Sequence, residues 1–268
     1  MDKEYIIVTG SRGGIGKAVS QLLQKEDYHV IGLDIAAISE DFSPNATQYQ
    51  VDITNESELK AVYQEIVTYT NRIKAIINIA GIMRVGSLIE ESTTYLERVL
   101  AVNVLGTYAV NHVFFPLLRV GQGRIINFSS EYGTYTTVPF NGFYTMSKHA
   151  VDSYSDGLRR ELAPLGIKVS TIRPGAFKTE MENSALTAFE AFRERTTHYK
   201  AILDKMFPLL EKNTKGAKET SIIATIVLKA LEAEHPKSVY KSNHNIGMKA
   251  LSHLPRFLQD KIFERMVR

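Results

Sequence analysis

The 268-residue sequence contains no cysteine. Without cysteine the chain cannot form a disulfide, use a thiolate nucleophile or build a cysteine-ligated zinc centre. The absence is also compatible with a reducing cytoplasm. We therefore expect neither a covalent cross-link nor a metal site, and any chemistry must depend on other side chains.

The chain also has little excess charge of either sign. Lysine and arginine number 32 against 29 aspartates and glutamates, a difference of three. No run of basic residues occurs in the first two hundred positions. Because nucleic-acid binding needs a concentrated positive surface, the composition predicts no such partner.

Long apolar runs are missing as well. The N-terminal segment carries Asp2 and Glu4 and only a short apolar run, unlike a signal peptide. No stretch of sequence approaches the roughly 18 apolar residues that a membrane-spanning helix needs. These observations predict a cytoplasmic protein.

Short runs of β-branched residues alternate with longer helical patterns along a chain that is 44% hydrophobic and 23% charged. Near-continuous apolar runs are typical of strands buried on both faces of a parallel sheet. The alternation predicts one α/β domain, a doubly wound parallel sheet of the Rossmann type. The predicted strands are Tyr5–Thr9, His29–Asp34, Gln48–Val51, Ala75–Ala80, Arg124–Ser129, Lys168–Arg173 and Ser238–Tyr240, and the predicted helices are Gly16–Gln24, Glu56–Tyr69, Thr94–Leu118, Tyr144–Ala163 and Ala217–Ala233.

The alternation stops after the sixth strand. Residues 176–215 contain helix formers and many charges but no clear strand, which predicts a substrate lid, since ligands bind beyond the carboxyl ends of such strands. The dinucleotide-binding and catalytic domain then spans residues 1–240. Residues 241–268 form a basic amphipathic tail, and we favour packing on its own protein, as lid or subunit contact, over contact with a membrane surface.

A glycine-rich turn, Thr9-Gly10-Ser11-Arg12-Gly13-Gly14-Ile15-Gly16, follows the first predicted strand and opens the first predicted helix. Glycine permits a tight turn, a close approach of backbone to a pyrophosphate and close packing of helix on strand. The helix N-terminus then offers free N–H groups to the phosphates. This context predicts a dinucleotide site.

Asp34 ends the second predicted strand, 18 positions after Gly16. A carboxylate there accepts hydrogen bonds from both ribose hydroxyls of NAD and repels the 2′-phosphate of NADP. Arg12 is the one feature that favours NADP. We predict NAD, because the carboxylate contacts the position of the missing phosphate directly.

Tyr144 and Lys148 lie four residues apart and so share one face of a predicted helix. An ammonium about 4 Å from a phenol contributes on the order of 4 kcal/mol at an effective dielectric of 20, or about 3 pK units. That shift would bring the phenol near neutrality, where a general acid–base works best. The pair alone is a weak signal, but Ser130, Asn78 and Arg173 lie at neighbouring strand ends.

With these motifs in order, residues 4–180 resemble the short-chain dehydrogenase/reductase family and, more loosely, its steroid and retinoid dehydrogenase branch. The one departure is Ile79, where the family's N-N-A-G motif has a second asparagine. The resemblance implies that the catalytic residues are Asn103, Ser130, Tyr144 and Lys148. It implies that the cofactor-binding residues are Thr9, Gly10, Ser11, Arg12, Gly14, Ile15, Gly16, Asp34, Asp52, Ile53, Asn78, Ala80, Gly81, Tyr144, Lys148, Pro174, Gly175 and Thr179.

The resemblance also implies roles for these residues. Ser130 would polarise the substrate oxygen, Tyr144 would exchange its proton, and Lys148 would lower the pKa of the tyrosine and bind the nicotinamide ribose. Asn103 would position a water that relays the proton outward. The family favours homodimers or homotetramers.

The leading hypothesis is an NAD-dependent enzyme that interconverts a secondary alcohol and a ketone on a hydrophobic, steroid- or retinoid-like substrate. We expect six apolar residues around the mouth of the site: Phe140, Phe143, Phe177, Met181, Leu186 and Phe192. The alternatives are a sugar, polyol or 3-oxoacyl-thioester ketoreductase, and a binding protein that senses NAD(P) without catalysis.

Overall fold

A computed structural model describes residues 3–38, 44–214 and 216–267. Within those residues seven strands form one parallel sheet in the order β3-β2-β1-β4-β5-β6-β7. Helices cover both faces, so the predicted doubly wound fold is confirmed. The strands are β1 Tyr5–Thr9, β2 His29–Asp34, β3 Ala46–Gln50, β4 Ala75–Asn78, β5 Arg124–Phe128, β6 Lys168–Pro174 and β7 Val239–Ser242.

Ten α-helices lie within the same described ranges, and two short 3₁₀ turns, Glu131–Gly133 and Ala163–Leu165, accompany them. The helices are α1 Gly14–Lys25, α2 Glu56–Ile66, α3 Thr93–Leu100, α4 Thr107–Val120, α5 Gly142–Leu162, α6 Glu180–Arg195, α7 Lys200–Thr214, α8 Thr220–Glu232, α9 Ile246–Ser252 and α10 Arg256–Val267.

Alternate residues of each central strand are buried on opposite faces of the sheet. In β1, Ile7 belongs to a core shared with α2, α4 and α5, whereas Ile6 and Val8 belong to a core shared with α1 and α8. Because successive strand side chains point to opposite faces, a strand covered on both sides must be apolar at every position. This is why the strand patterns in the sequence are continuous apolar runs.

β4 is shorter than predicted because the chain leaves the sheet after Asn78. The backbone N–H groups of Ile79 and Ala80 both donate to Thr9 Oγ1, at 3.0 and 3.1 Å, instead of continuing the ladder. Thr9 ends β1, so this side chain binds the end of β4 to the start of the glycine-rich turn.

The predicted helix Thr94–Leu118 is interrupted. A π-helical turn, Ala101–Gly106, separates α3 from α4. The continuous segment Thr93–Val120 is long and apolar enough to cross a membrane by length and composition, contrary to our expectation, but 44% of its most apolar window is buried inside the protein. Core helices of soluble proteins pass the same test, so the feature is weak evidence for a span.

The insertion after β6 forms a helical hairpin of α6 and α7. Its described side chains build a small core of their own from Val85, Phe189, Phe192, Leu203 and Met206. The Glu90 carboxylate accepts hydrogen bonds from Thr196 Oγ1 at 2.6 Å and from the N–H groups of Thr197 and His198, which holds the hairpin turn on the loop after β4. Lys215, at the end of the predicted lid, lies outside the described residues, and the lid function stays a prediction.

We expect Phe192→Ala to loosen this hairpin without unfolding the sheet. Phe192 is fully buried, and removing a buried phenylalanine costs about 3–5 kcal/mol, but its core is separate from the two cores that cover the sheet. Limited proteolysis should therefore cut the variant between residues 180 and 214 at least ten times faster than the wild type. Phe257→Ala, at an exposed position of α10, is the control. If thermal unfolding of Phe192→Ala showed that the sheet had also lost its cooperative transition, the hairpin and the sheet would unfold as one unit.

Candidate active site

A cavity of about 760 Å³ opens beyond the carboxyl ends of the central strands. This is where an open α/β sheet binds its ligands. Most of the predicted site residues line it, and the structure therefore brings together Gly10, Arg12, Gly14, Ile15, Gly16, Asp34, Asp52, Ile53, Ala80, Gly81, Ser130, Tyr144, Lys148, Pro174, Gly175 and Thr179.

The glycine-rich turn lines this cavity, and three of its glycines have no room for a side chain. Gly10 has a φ of +63°, and a Cβ there would lie 3.0 Å from the backbone of Ala80. A Cβ on Gly16 would overlap the carbonyl oxygen of Gly10, and one on Gly14 would lie 2.7 Å from Thr179 Cγ2. Each glycine thus permits a contact that another residue would block.

Helix α1 begins at this turn with its N-terminus open. Gly13 at the N-cap offers no side-chain cap, and no acidic residue lies in the first turn. The orphan N–H groups and the positive end of the helix dipole are therefore available to an anion. A turn with three crowded glycines and a 12-residue helix without a side-chain cap fit the pyrophosphate of a dinucleotide.

The Asp34 carboxylate lies at the edge of the cavity, fixed by the main chain. Oδ2 accepts the N–H of Arg12 at 2.9 Å, and Oδ1 accepts the N–H of Ala36 at 3.0 Å. The Arg12 guanidinium donates to the carbonyl oxygen of Ala36 at 3.3 Å. The carboxylate therefore holds the glycine-rich turn and the end of β2 in one arrangement, and each oxygen keeps a lone pair for a further donor.

Asp52 forms a second polar corner, beyond β3. Its Oδ1 accepts the N–H of Thr54 at 2.9 Å and the Thr54 hydroxyl at 2.7 Å, and Arg98 lies 3.8 Å from Oδ2. Burial raises the pKa of Asp52, but these donors outweigh it and hold the pKa below its ordinary value. The group is an anionic acceptor at neutral pH.

Tyr144, Lys148 and Ser130 line the same cavity. The tyrosine and the lysine lie in the first two turns of α5, and Ser130 follows β5, where its Oγ accepts the N–H of Tyr132 at 3.2 Å. Lys148 Nζ lies 5.6 Å from the centroid of the Tyr144 ring and donates to the Phe128 carbonyl at 3.0 Å. All three side chains are largely buried.

Burial dominates the electrostatics of Lys148. Desolvation of the ammonium lowers the pKa of Lys148 to about 8, although the nearby Asp152 carboxylate acts in the opposite direction. The lysine therefore still carries a charge at pH 7. Because the buried site has a low effective dielectric constant, this charge interacts strongly with neighbouring groups. Its direct effect on the Tyr144 hydroxyl stays a prediction.

A buried ion pair lies beneath the lysine, and sequence reasoning missed it. Asp152 Oδ1 accepts Arg173 Nε at 3.0 Å, and Asp152 Oδ2 lies 3.0 Å from Ser129 Oγ. Burial raises the pKa of Asp152 against the opposing effect of Arg173. The signal was the spacing of Tyr144, Lys148 and Asp152, each four residues after the last on one face of α5.

Asn103 lies in the π-helical turn, behind the cavity wall. Its Nδ2 donates to the Ile82 carbonyl and to Ser147 Oγ, both at 2.9 Å, and its Oδ1 accepts the Ile82 N–H at 2.8 Å. Ser147 in turn donates to the carbonyl of Tyr144 at 2.7 Å. Asn103 therefore binds the loop after β4 to α5, and its expected role in positioning a water stays a prediction.

Three residues predicted to contact a cofactor do not line the cavity. Asn78 shares the α4 face of the sheet with Ile76, and its Nδ2 donates to Asn111 Oδ1 at 2.8 Å and to Asn127 Oδ1 at 2.9 Å. Thr9 binds the end of β4, and Ser11 Oγ donates to Gln48 Oε1 at 3.0 Å. These side chains shape the strand ends that form the site, and their contact with a cofactor stays a prediction.

The C-terminal tail packs against the loop that carries Ser130, which the sequence did not predict. The Asn245 N–H donates to the buried Glu131 carboxylate at 2.6 Å, and the Thr136 N–H donates to Ser252 Oγ at 2.9 Å. Met248 and Leu251 of α9 line the cavity. Arg268 and the side chain of Met266 lie outside the described part of the chain.

His244 fastens the start of this tail. Its Nε2 lies 2.8 Å from the Arg173 carbonyl and its Nδ1 2.8 Å from the Tyr135 hydroxyl. Because a carbonyl only accepts, Nε2 must carry the proton, and Nδ1 of the neutral ring accepts from the tyrosine. Burial lowers the pKa of His244, which favours that neutral ring.

The apolar wall differs from the predicted set of six apolar residues. Phe177 and Met181 line the cavity, whereas Leu186 does not, and Phe143 and Phe192 are buried in packing away from it. Instead, four of the chain's seven methionines line the cavity: Met83, Met181, Met206 and Met248. Methionine is flexible and polarisable, so such a wall adapts to apolar molecules of different shape.

Comparison with known proteins agrees with this geometry. A family model described as short chain dehydrogenase matches residues 4–188. Retinol dehydrogenase 7 and 17-beta-hydroxysteroid dehydrogenase type 6, both from Mus musculus, are each 26% identical, over 97% of this chain and 87% of theirs. The solved structure of ElxO with NADP bound has a TM-score of 0.71 at 26% identity, covering 89% of this chain and 96% of that one.

The buried ammonium predicts that Lys148→Met stabilises the protein. Burial lowers the pKa of Lys148 from 10.5 to about 8; that shift costs the folded state ~3 kcal/mol below pH 8. Loss of the hydrogen bond to Phe128 offsets part of the gain. We expect urea denaturation at pH 7 to give a free energy of unfolding about 1–2 kcal/mol higher.

The same reasoning fixes the pH dependence. Between pH 8 and 10.5 the unfolded state keeps a proton that the folded state has released, so wild-type stability rises with pH and the advantage of the variant shrinks. Lys229→Met, at an exposed position of α8, is the control and should show neither effect. A Lys148→Met variant less stable than wild type at pH 7 would mean that the ammonium's contacts outweigh its desolvation.

Proposed function

The chain belongs to the short-chain dehydrogenase family, and on that premise we propose that it is an NAD-linked enzyme for large apolar alcohols and the matching ketones. The oxidoreductase class follows from the family. The finer proposal depends on one observation: Ser130, Tyr144 and Lys148 line the same cavity as the glycine-rich turn, and four methionines line it with them.

The residues Ser130, Tyr144 and Lys148 are suited to proton transfer. Ser130 and Tyr144 both line the cavity, where their hydroxyl groups can hold one substrate oxygen between them. Tyr144 takes the proton of an alcohol, or gives one to a ketone, and the charge on Lys148 favours its phenolate form. The cofactor, when bound, supplies or accepts the hydride.

Supporting residues keep this geometry rigid. Asn103 and Ser147 hold the first turn of α5 against the loop after β4, and the Asp152–Arg173 pair holds α5 against β6. The Lys148 ammonium has a fixed acceptor in the Phe128 carbonyl. Precise positioning of this kind contributes to catalysis because little reorganisation is needed when the reaction begins.

Asp34 supports NAD over NADP. Its carboxylate is anchored by two backbone N–H groups at the edge of the cavity, where it would meet a ribose. The Arg12 guanidinium contacts the Ala36 carbonyl and so has a partner of its own. ElxO, a similar protein, was solved with NADP, so the choice of nucleotide needs a direct test.

The wall of the cavity supports an apolar substrate. It includes Ile82, Met83, Met206 and Leu251, and Phe263 of α10. A sugar or polyol would leave its hydroxyls without partners on such a wall. The relatives named for retinol and a 17-beta-hydroxysteroid act, by name, on large apolar alcohols.

A binding protein that senses NAD(P) without catalysis would not need Ser130, Tyr144 and Lys148 together.

We also propose a homodimer or homotetramer. Leu105 in the π-helical turn and Tyr108 in α4 are exposed apolar residues. The Tyr108 ring stacks on His112 with 5.7 Å between the ring centroids. A second copy would cover this face. The cytoplasmic location stays a prediction, and so does the preference for a tail that avoids membrane surfaces.

Tyr144→Phe should abolish turnover while leaving NAD binding near wild type. The substitution removes the acidic proton and keeps the ring, and general acid–base catalysis contributes a factor of about 10² or more. Steady-state NAD reduction and NAD titration by fluorescence measure the two properties. Tyr154→Phe, on the same helix but bonded to Asn111, is the matched control. More than about a tenth of wild-type turnover in Tyr144→Phe would contradict the acid–base role.

Cofactor choice follows from Asp34. The wild type should use NAD with a higher kcat/KM than NADP, and Asp34→Ala should shift the ratio towards NADP by about tenfold or more, because a repulsive charge is removed. The exposed surface substitution Glu26→Ala should leave the ratio unchanged. Wild-type preference for NADP would show that Arg12 outweighs the carboxylate.

A further inference from the structure

A second cavity, of about 420 Å³, lies next to the catalytic one. Leu88 and residues 137–140 form one side of it, and α10 forms the other. Val138 and Phe263 line both cavities, so these two side chains lie between them. We call the second space the outer cavity.

One wall of the outer cavity holds a backbone conformation that bulky residues avoid. Phe140 has a φ of +66°, in the left-handed region. Such a conformation is costly for an aromatic residue and persists only where the surroundings impose it. Here the ring packs on Phe192 and Tyr199, at centroid distances of 5.4 and 5.1 Å, and the Phe140 carbonyl accepts the Gly86 N–H at 2.9 Å.

The strained loop leads directly into the catalytic helix. Phe140 precedes the start of α5 by two residues, and Tyr144 follows two residues after that start. Gly142, the first residue of α5, lets Leu88 pack closely, since a Cβ there would lie 2.8 Å from Leu88 Cδ1. A fixed wall therefore lies within one helical turn of Tyr144. It consists of the strained loop, Leu88 and the small core of the α6–α7 hairpin on which the Phe140 ring packs.

Leu88 remains 56% exposed although it packs on Gly142. An exposed leucine on the wall of a concave apolar space is covered only when something enters that space. Val138 and Phe263 line both this space and the catalytic cavity, so a path between these two side chains would bring the far end of a molecule held at Tyr144 to Leu88.

We propose that the outer cavity is a distal subsite of the substrate. The proposal rests on the proposed function: an alcohol or ketone held at Tyr144 extends its apolar end between Val138 and Phe263 to Leu88. The matching substrate is an elongated apolar molecule with its reacting oxygen near one end. Asp260 and Glu264 at the exposed rim disfavour a negatively charged far end, such as the phosphates of an acyl thioester carrier.

Chain length tests this subsite. Each methylene that becomes buried should raise kcat/KM by about fourfold, so activity on 2-alkanols from 2-pentanol to 2-tridecanol should rise as the chain reaches the outer cavity. Leu88→Trp fills that cavity and should lower the ratio of kcat/KM for the longest to the shortest member by at least tenfold. Thr137→Trp fills it from the neighbouring loop and replaces Leu88→Trp if that protein does not fold.

The neighbouring residue gives the matched control. Ile89 is 76% exposed and does not line the outer cavity, so Ile89→Trp should keep the wild-type ratio. The same ratio in folded Leu88→Trp or Thr137→Trp as in wild type would overturn the subsite while leaving the proposed function intact.

Ligand binding, measured without turnover, tests the distal subsite separately from the proposed function. The matching 2-alkanones are titrated into the protein by calorimetry with NAD present, which requires no turnover. If no alcohol is oxidised, the proposed function fails, yet a loss of long-chain affinity of at least tenfold in Leu88→Trp relative to Ile89→Trp still supports the subsite. Equal long-chain affinities in the two variants overturn it.

Discussion

The hydrogen bond from the Lys148 ammonium to the Phe128 carbonyl is the contact on which the site depends. Folding removes the ammonium from water, and this burial lowers the pKa of Lys148 to about 8. A charge in such a place must have fixed partners. Asp152 and Arg173 lie beneath it on α5 and β6, and their ion pair fixes the helix whose first turns carry both Tyr144 and Lys148. Burial of the Lys148 charge lowers the stability of the fold, whereas the proposed proton transfer needs that charge.

The sheet could be predicted from the sequence because its physical signal is local. A strand buried on both faces is apolar at every position, as in Tyr5–Thr9, and the predicted bounds of β1 and β2 match the structure. The end of β4 could not be predicted in the same way. It depends on Thr9 accepting two N–H groups from residues 70 and 71 positions away, which no local pattern records. The π-helical turn was missed because the segment Thr93–Val120 is apolar enough overall to mask a change of helical phase.

Site residues divide in the same way. Those in contiguous motifs, such as Gly10 and Tyr144, reach the cavity as the resemblance implied. Asn78 belongs to such a motif, but strand alternation turns its side chain to the face that carries α4, away from the cavity. The tail was expected to pack on its own protein. That Asn245 would reach the buried Glu131 carboxylate depends on the tertiary course of the chain. Four methionines contribute to the apolar lining of the cavity, and their positions along the chain follow no periodic pattern.

The π-helical turn Ala101–Gly106 has a consequence for variation in chain length. Such a turn accommodates one residue more than an α-helix of the same rise. The two halves of the long helix are therefore out of phase: α3 and α4 each keep an apolar side, while Asn103 points between them to Ile82 and Ser147. Deleting a single residue here would restore a regular helix and an unbroken apolar stripe, yet it would rotate Asn103 away from both partners. In this helix an insertion or deletion that looks harmless in an alignment of homologues changes the active site.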